Sequence, residues 1–281
     1  MALAKTVVGM LSIVALSACS SASVAPAQEA SAGRGAYPPG HVHGLQVDPD
    51  SGSVLLATHE GLFDLTDPSN ERIGPLIDLM GFTASGGTLY ASGHPGPGVD
   101  LPAPLGLIRS TDQGKSWELL SRQGESDFHT LAAGQDGIVG YDGRIRTTPD
   151  GLSWQDGPAD LAAHALAGSE SSGVVLATTE KGLQRSTDGG ASWAEVQGAP
   201  LLLLAALDGG TAAGVAPDGR IYTSDDAGAS WMEQGSVQGT PAAIDVVAES
   251  AAAGASAGIW VATDSGVQVS DDGGTTFTPL R

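Results

Sequence analysis

The 281-residue chain has one cysteine, Cys19, so no disulfide can form within it. Basic residues are equally scarce: 12 Lys and Arg stand against 32 Asp and Glu, a formal charge of −20. Such an acidic surface repels phosphate backbones and anionic headgroups, which excludes nucleic acid and charge-driven membrane binding and favours neutral or cationic partners. The apolar run from Thr6 to Leu16 is too short to span a bilayer, for which about 20 residues are needed. No Gly-rich loop precedes a helix and no nucleophile elbow is present, so nucleotide binding and serine hydrolase chemistry have no motif to rest on.

What is present begins with an export signal, in which Lys5 supplies a short positive region ahead of the apolar run. The sequence Leu16-Ser17-Ala18-Cys19 that follows resembles the lipobox of bacterial lipoproteins. The resemblance implies removal of residues 1–18, lipidation of Cys19, and a chain held against a bilayer at the cell surface or on the periplasmic side of the membrane. A plain cleaved secretory signal is the simpler alternative. Residues 19–39 are rich in Ala, Ser, Gly and Pro and read as a flexible tether. Loss of Lys5 with the signal takes the charge to −21. Residues 40–281 are enough for one undivided all-β domain, expected to be monomeric.

Self-similarity sets the fold. Ser-x-Asp-x-Gly-x-Ser/Thr-aromatic occurs at Ser110 to Trp117, Ser186 to Trp193, Ser224 to Trp231 and Ser270 to Phe277, with a degenerate copy at Thr147 to Trp154. The aromatic positions lie 37 to 46 residues apart, the spacing of four-stranded propeller blades. The motif is similar to the Asp box, or BNR repeat, of sialidases and related propellers. Its Asp can accept backbone N–H bonds, its Gly admits a positive φ, and its aromatic can bury against a neighbouring sheet; the motif is structural. The same cadence without a box appears at Ser53 to Thr58 and Gly61 to Leu65, adding a diverged first blade. The expected fold is a single β-propeller of six four-stranded antiparallel blades at about 41–74, 75–122, 123–158, 159–197, 198–236 and 237–281.

Aligned first strands put His43, Met80, His129 and His164 at equivalent channel-facing places, with His41, Asp78 and Asp127 two residues earlier on the same side. The turns joining second and third strands return to that mouth with His59, Glu60 and His94, opposite the face that carries the boxes. Blades five and six are nearly apolar there. Blade two carries a Pro/Gly-rich insertion, Gly93 to Gly106, longer than a hairpin needs. A ligand site is therefore expected from His41, His43, His59, Glu60, His94, Asp100 and His129. Within it His41, His43, His59 and His94 are candidate ligands for Cu or Zn, because imidazole binds these ions at neutral pH. Hydrogen-bonded polar residues lining a wet channel are the competing reading.

The segments His41 to Leu45, Ala57 to Leu62, Asp78 to Phe82, Gly93 to Gly98 and Ser121 to His129 look like those of short bacterial propeller lipoproteins usually labelled glycosylhydrolases. A hydrolase would need two carboxylates at the mouth, and Asp78, Asp127 and Glu125 are the candidates. The chain departs from true sialidases: its nearest match to Phe-Arg-Ile-Pro is Arg72-Ile73-Gly74-Pro75, and no arginine triad or Tyr-Glu pair stands in a sialidase context. Three functions stay open: a propeller that binds a metal, small-molecule, glycan or protein ligand; a glycoside hydrolase; and an assembly scaffold for a membrane protein.

Overall fold

The computed structural model describes residues 1–2, 38, 40–248 and 256–280. The lipobox with Cys19, nearly all of the signal and tether, and residues 249–255 lie outside the described residues. Among the described residues, twenty-four strands form six antiparallel sheets of four, each in chain order, so the protein is a six-bladed β-propeller. No helix long and apolar enough to cross a membrane is present among the described residues.

The innermost strands are Val42–Val47, Ile77–Ser85, Thr130–Gly134, Ala165–Ser169, Leu204–Asp208 and Pro241–Val247. Each packs beside the inner strands of its two neighbours, and the last packs beside the first, which closes the ring. Val47 N–H donates to Asp245 Oδ2 at 2.7 Å across that closing seam. A blade pressed between two others must be apolar on both faces, and a short continuous apolar run suits that position. Val54–Thr58, the second strand of blade one, is buried at all five residues.

Each box joins the third and fourth strands of its blade. In blade four, Ser186 Oγ donates to Asp188 Oδ1 at 2.7 Å, and Gly190 N–H donates to Ser186 Oγ at 2.9 Å. Ser192 closes the turn on both carboxylate oxygens, through its N–H at 2.8 Å and its Oγ at 2.6 Å. The same pattern recurs around Asp112, Asp226 and Asp272. In the degenerate copy the late Asp150 accepts instead from the N–H groups of Leu152 and Ser153, both at 2.8 Å. Box glycines are required twice over: Gly114 has φ 84°, and a Cβ there would stand 2.3 Å from a Leu62 methyl of blade one. The aromatic that ends each box packs into the core of the preceding blade, Trp117 against blade one and Phe277 against blade five.

These turns give the fold an acid limit. Ser or Thr hydroxyl and backbone N–H donors hold the carboxyls of Asp112, Asp188, Asp226 and Asp272 down at about 2. Carboxyls depressed in the folded state contribute stability above the unfolded value of 3.8 and lose it as pH falls toward 2. Circular dichroism on acidification should show cooperative loss of β structure between about pH 4 and pH 2. Retention of the native spectrum at pH 2 would show that the box carboxylates do not support the fold.

Candidate ligand site at the channel mouth

Leu45, Phe82, Leu131, Leu166, Ala205 and Ile244 line one central cavity and mark equivalent points on the six inner strands. Three residues before them Leu79, Phe128, Ala163 and Leu202 are buried between blades. Strand alternation turns the positions two and four residues before the cavity toward the mouth. There stand His43, Met80, His129 and His164, with His41, Asp78 and Asp127 one step further out.

Local irregularity aims the histidines. The register of the first two strands of blade one shifts between Val42 and Gly44, so His43 sits on a bulge, a feature that re-aims side chains at sheet ends. Gly44 allows this close approach, since a Cβ there would meet Phe82 Cβ at 2.8 Å. His59 follows Val54–Thr58 and donates its N–H to His41 O at 3.1 Å. Thr58 Oγ1 accepts Glu60 N–H at 3.0 Å and donates to Gly61 O at 3.0 Å, fixing the turn that carries His59.

Two groups result. In the first, His43 Nε2 lies 3.1 Å from His59 Nε2, and His59 Nδ1 lies 2.8 Å from Asp78 Oδ1. These three residues can each turn a ligand atom to one point, all within 4.8 Å of one another. The His41 ring stands edge-on to His59, centroids 5.5 Å apart. Burial, and then the neighbouring His59, push the His43 imidazole below its usual value of 6.5, which keeps one ring nitrogen's lone pair available at neutral pH. Asp78 Oδ1 is sealed from solvent and, although 2.8 Å from His59 Nδ1, accepts no aligned hydrogen bond.

In the second group Asp127 Oδ2 lies 3.7 Å from His94 Nε2 and 3.5 Å from His129 Nε2. Asp127 Oδ1 is likewise sealed and unpartnered. His94 thus lies beside Asp127, and no ion pair or hydrogen bond joins it to His43 or His59 among the described residues. Glu125 points to Arg122 instead, Oε2 to Nη2 3.6 Å, and is largely exposed. Glu60, Asp100 and His164 are exposed and join neither group by an ion pair or hydrogen bond among the described residues.

One polar cluster went unread. At the far end of the channel, Gln46, Glu170, Asp208 and Asp245 line the cavity of about 390 Å³. The only sequence signal was a single acid in the otherwise apolar run Ala242-Ala243-Ile244-Asp245-Val246-Val247.

Fold and mouth together define a propeller with an imidazole and carboxylate rim, and solved structures of several kinds share that fold. A GH74 xyloglucanase from Xanthomonas campestris is similar at 18% identity and TM-score 0.57, over 86% of this chain and 38% of the enzyme. The chain thus spans little more than a third of that enzyme's length. YCF48 bound to D1 peptide is similar at 18% identity and TM-score 0.53, over 85% of this chain and 80% of that one. The extracellular domain of BT4673 from B. thetaiotaomicron matches at 14% identity and TM-score 0.51, over 82% of this chain and 38% of that one. At such identities the likeness is one of fold. Neither a protein-family model nor a curated protein matches the sequence.

Proposed function

We propose that the chain is an extracytoplasmic, lipid-anchored binding propeller whose mouth takes a Zn or Cu ion on His43 and His59 and presents that ion to a ligand. The observation that carries this reading is the 3.1 Å separation of the two Nε2 atoms. Two imidazole nitrogens on a tetrahedral zinc, each about 2.0–2.1 Å from the metal, sit about 3.3 Å apart. With Nε2 on the metal, His59 Nδ1 carries its proton on the side of Asp78 Oδ1, 2.8 Å away, and a small turn of the ring would align the carboxylate–histidine bond found behind many ligating imidazoles. With Asp78 placed behind His59, two imidazoles remain as direct ligands among the described residues, and the other positions of the ion are free for a ligand atom. The export signal and Leu16-Ser17-Ala18-Cys19 support the location and the anchor.

Hydrolysis has the xyloglucanase likeness behind it. Its candidate carboxylates Asp78 and Asp127, however, are each engaged by imidazoles, and Glu125 by a guanidinium. Binding is the better-supported reading.

Thermal unfolding of the chain carrying Cys19→Ser, titrated with Zn and Cu at pH 7.5, tests it. At a free ion concentration 100 times Kd the native state should gain about 2.7 kcal/mol, an upward shift in Tm. His43→Ala and His59→Ala should abolish the shift, Asp78→Asn should weaken affinity by about 10- to 100-fold, and His164→Ala should leave it intact. Neither ion stabilising the protein would overturn the reading, and turnover of a chromogenic glycoside that vanishes in Asp127→Asn would replace it with the hydrolase.

A further inference from the structure

A cleft at the boundary of blades three and four is lined by a chemistry unlike that of the imidazole groups. Its volume is about 300 Å³, and its walls include Trp193, Leu161, Asp160, Glu180, Lys181 and Gln184. That size falls at the lower end of small-molecule sites, which are concave and set a few polar groups on an apolar wall. The cleft opens beside the turn of blade four that returns to the mouth, and it shares no residue with the groups around Asp78 and Asp127.

Its walls are held in place by the fold itself. Trp193 ends the box of blade four, and its Nε1 donates to Gly190 O at 2.9 Å. With Leu161 the indole packs on the apolar cluster between blades three and four, which contains Val139, Ile145 and Ala177. Its single donor is thereby spent inward, so the indole offers the cleft carbon surface. Thr179 Oγ1 donates to Gly182 O at 2.7 Å and accepts Lys181 N–H at 3.1 Å, and Gly182 takes a φ of 124°. This closed turn presents Glu180 and Lys181 at its tip. Gln184 leaves the next strand on the side opposite the buried Leu183.

The polar groups of the cleft are uncommitted. Asp160, Glu180 and Lys181 are exposed, and neither they nor Gln184 make a side-chain hydrogen bond or ion pair among the described residues. Elsewhere exposed charges pair with each other, as Arg109 does with Glu118 and Arg220 with Asp218. An anion entering the cleft would meet two carboxylates, and a cation would meet the Lys181 ammonium. A neutral hydroxyl meets neither penalty, because it donates to a carboxylate and accepts from an ammonium or an amide. Several hydroxyls on a ring that also has a face of C–H groups would satisfy the polar side and the indole together.

We infer that this cleft binds a neutral carbohydrate, with the C–H face of a pyranose ring on the Trp193 indole and its hydroxyls shared among Asp160, Glu180, Lys181 and Gln184. The site needs no metal and does not depend on the reading of His43 and His59. The acidic surface of the whole chain disfavours acidic polysaccharides for the same reason of charge.

Glycan binding with EDTA present tests it. The Cys19→Ser chain is screened against an array of neutral, acidic and amino-sugar oligosaccharides, and the neutral one bound most strongly is titrated by calorimetry. Its affinity should fall about tenfold or more in Asp160→Ala and in Glu180→Ala, each of which removes a charged hydrogen-bond partner. Trp193→Phe, which keeps an aromatic in the box, should also weaken binding. Both carboxylate variants change exposed side chains without partners, and circular dichroism confirms that all three are folded. The Zn-induced rise in Tm should persist in Glu180→Ala, so failure of one site is read separately from failure of the other. Absence of neutral-oligosaccharide binding by the parent chain overturns the inference, as does a preference for acidic or amino-sugar glycans. Binding unchanged in all three variants places the sugar elsewhere and overturns it as well.

Discussion

Phe128→Ala should be among the most damaging single truncations in the propeller, costing about 3–5 kcal/mol as large aromatic deletions in cores do. Phe128 is fully buried, and its ring stacks on Trp154 with centroids 4.8 Å apart and planes 23° off parallel. Leu107, Leu131 and Ile138 complete the cluster between blades two and three. Neighbouring backbone has given way for it: Gly140 has no side chain because a Cβ there would stand 2.7 Å from the Phe128 ring. Collapse into the vacated space is opposed by two rigid blades, which places the cost in the upper part of that range. For a domain of this size each kcal/mol moves Tm by about 2–4 °C, so calorimetry should show a fall on the order of 10 °C. Phe128→Leu, which leaves much of the volume filled, should cost considerably less. Equal losses for both variants would mean that the ring stacking, rather than the filled volume, is what the site uses.

How far the sequence reveals this protein depends on which residues act locally. The boxes were legible because each is a closed set of bonds within eight residues, as Ser186 to Trp193 shows. Blade one lacks a box, yet Val54–Thr58 and Gly61–Asp64 kept the run and turn of the others, so the count of six was within reach. The mouth was legible as a face, since strand alternation alone places His43, His129 and Asp127 on one side. Partners within that face were not legible. His59 meets Asp78 and His94 meets Asp127 across blade boundaries, and such pairings depend on blade tilt, on the bulge at His43 and on where each turn returns. Asp245 stayed hidden for the opposite reason: its run reads as an apolar inner strand, and only ring closure brings it the N–H of Val47 from nearly two hundred residues away.

That closing seam carries a pH dependence opposite in sign to that of the boxes. Asp245 Oδ2 accepts from Val47 N–H at 2.7 Å and Gln46 Nε2 at 3.3 Å, and Oδ1 accepts from Val246 N–H at 2.9 Å. Burial pushes its carboxyl up to about 7, Asp208 adds to the rise, and the two backbone donors oppose it. A folded chain that keeps a proton the unfolded chain has released above 3.8 is favoured at low pH. The contribution is complete below the unfolded value and is lost as pH rises through about 7. At about 1.4 kcal/mol per pKa unit the loss by pH 8 is at most about 4 kcal/mol, and contact with channel solvent reduces it. Asp245→Asn cannot ionise, so its stability should exceed the parent's at pH 8 by urea unfolding. At pH 5 it should fall slightly below, because its amide turns a donor toward a backbone N–H. A variant less stable by the same amount at both pH values would show that the native carboxylate is ionised throughout and that its three accepted bonds outweigh burial. With boxes that fail in acid and a seam that weakens as pH climbs from 3.8 toward 7, these groups together favour the propeller most between about pH 4 and 5.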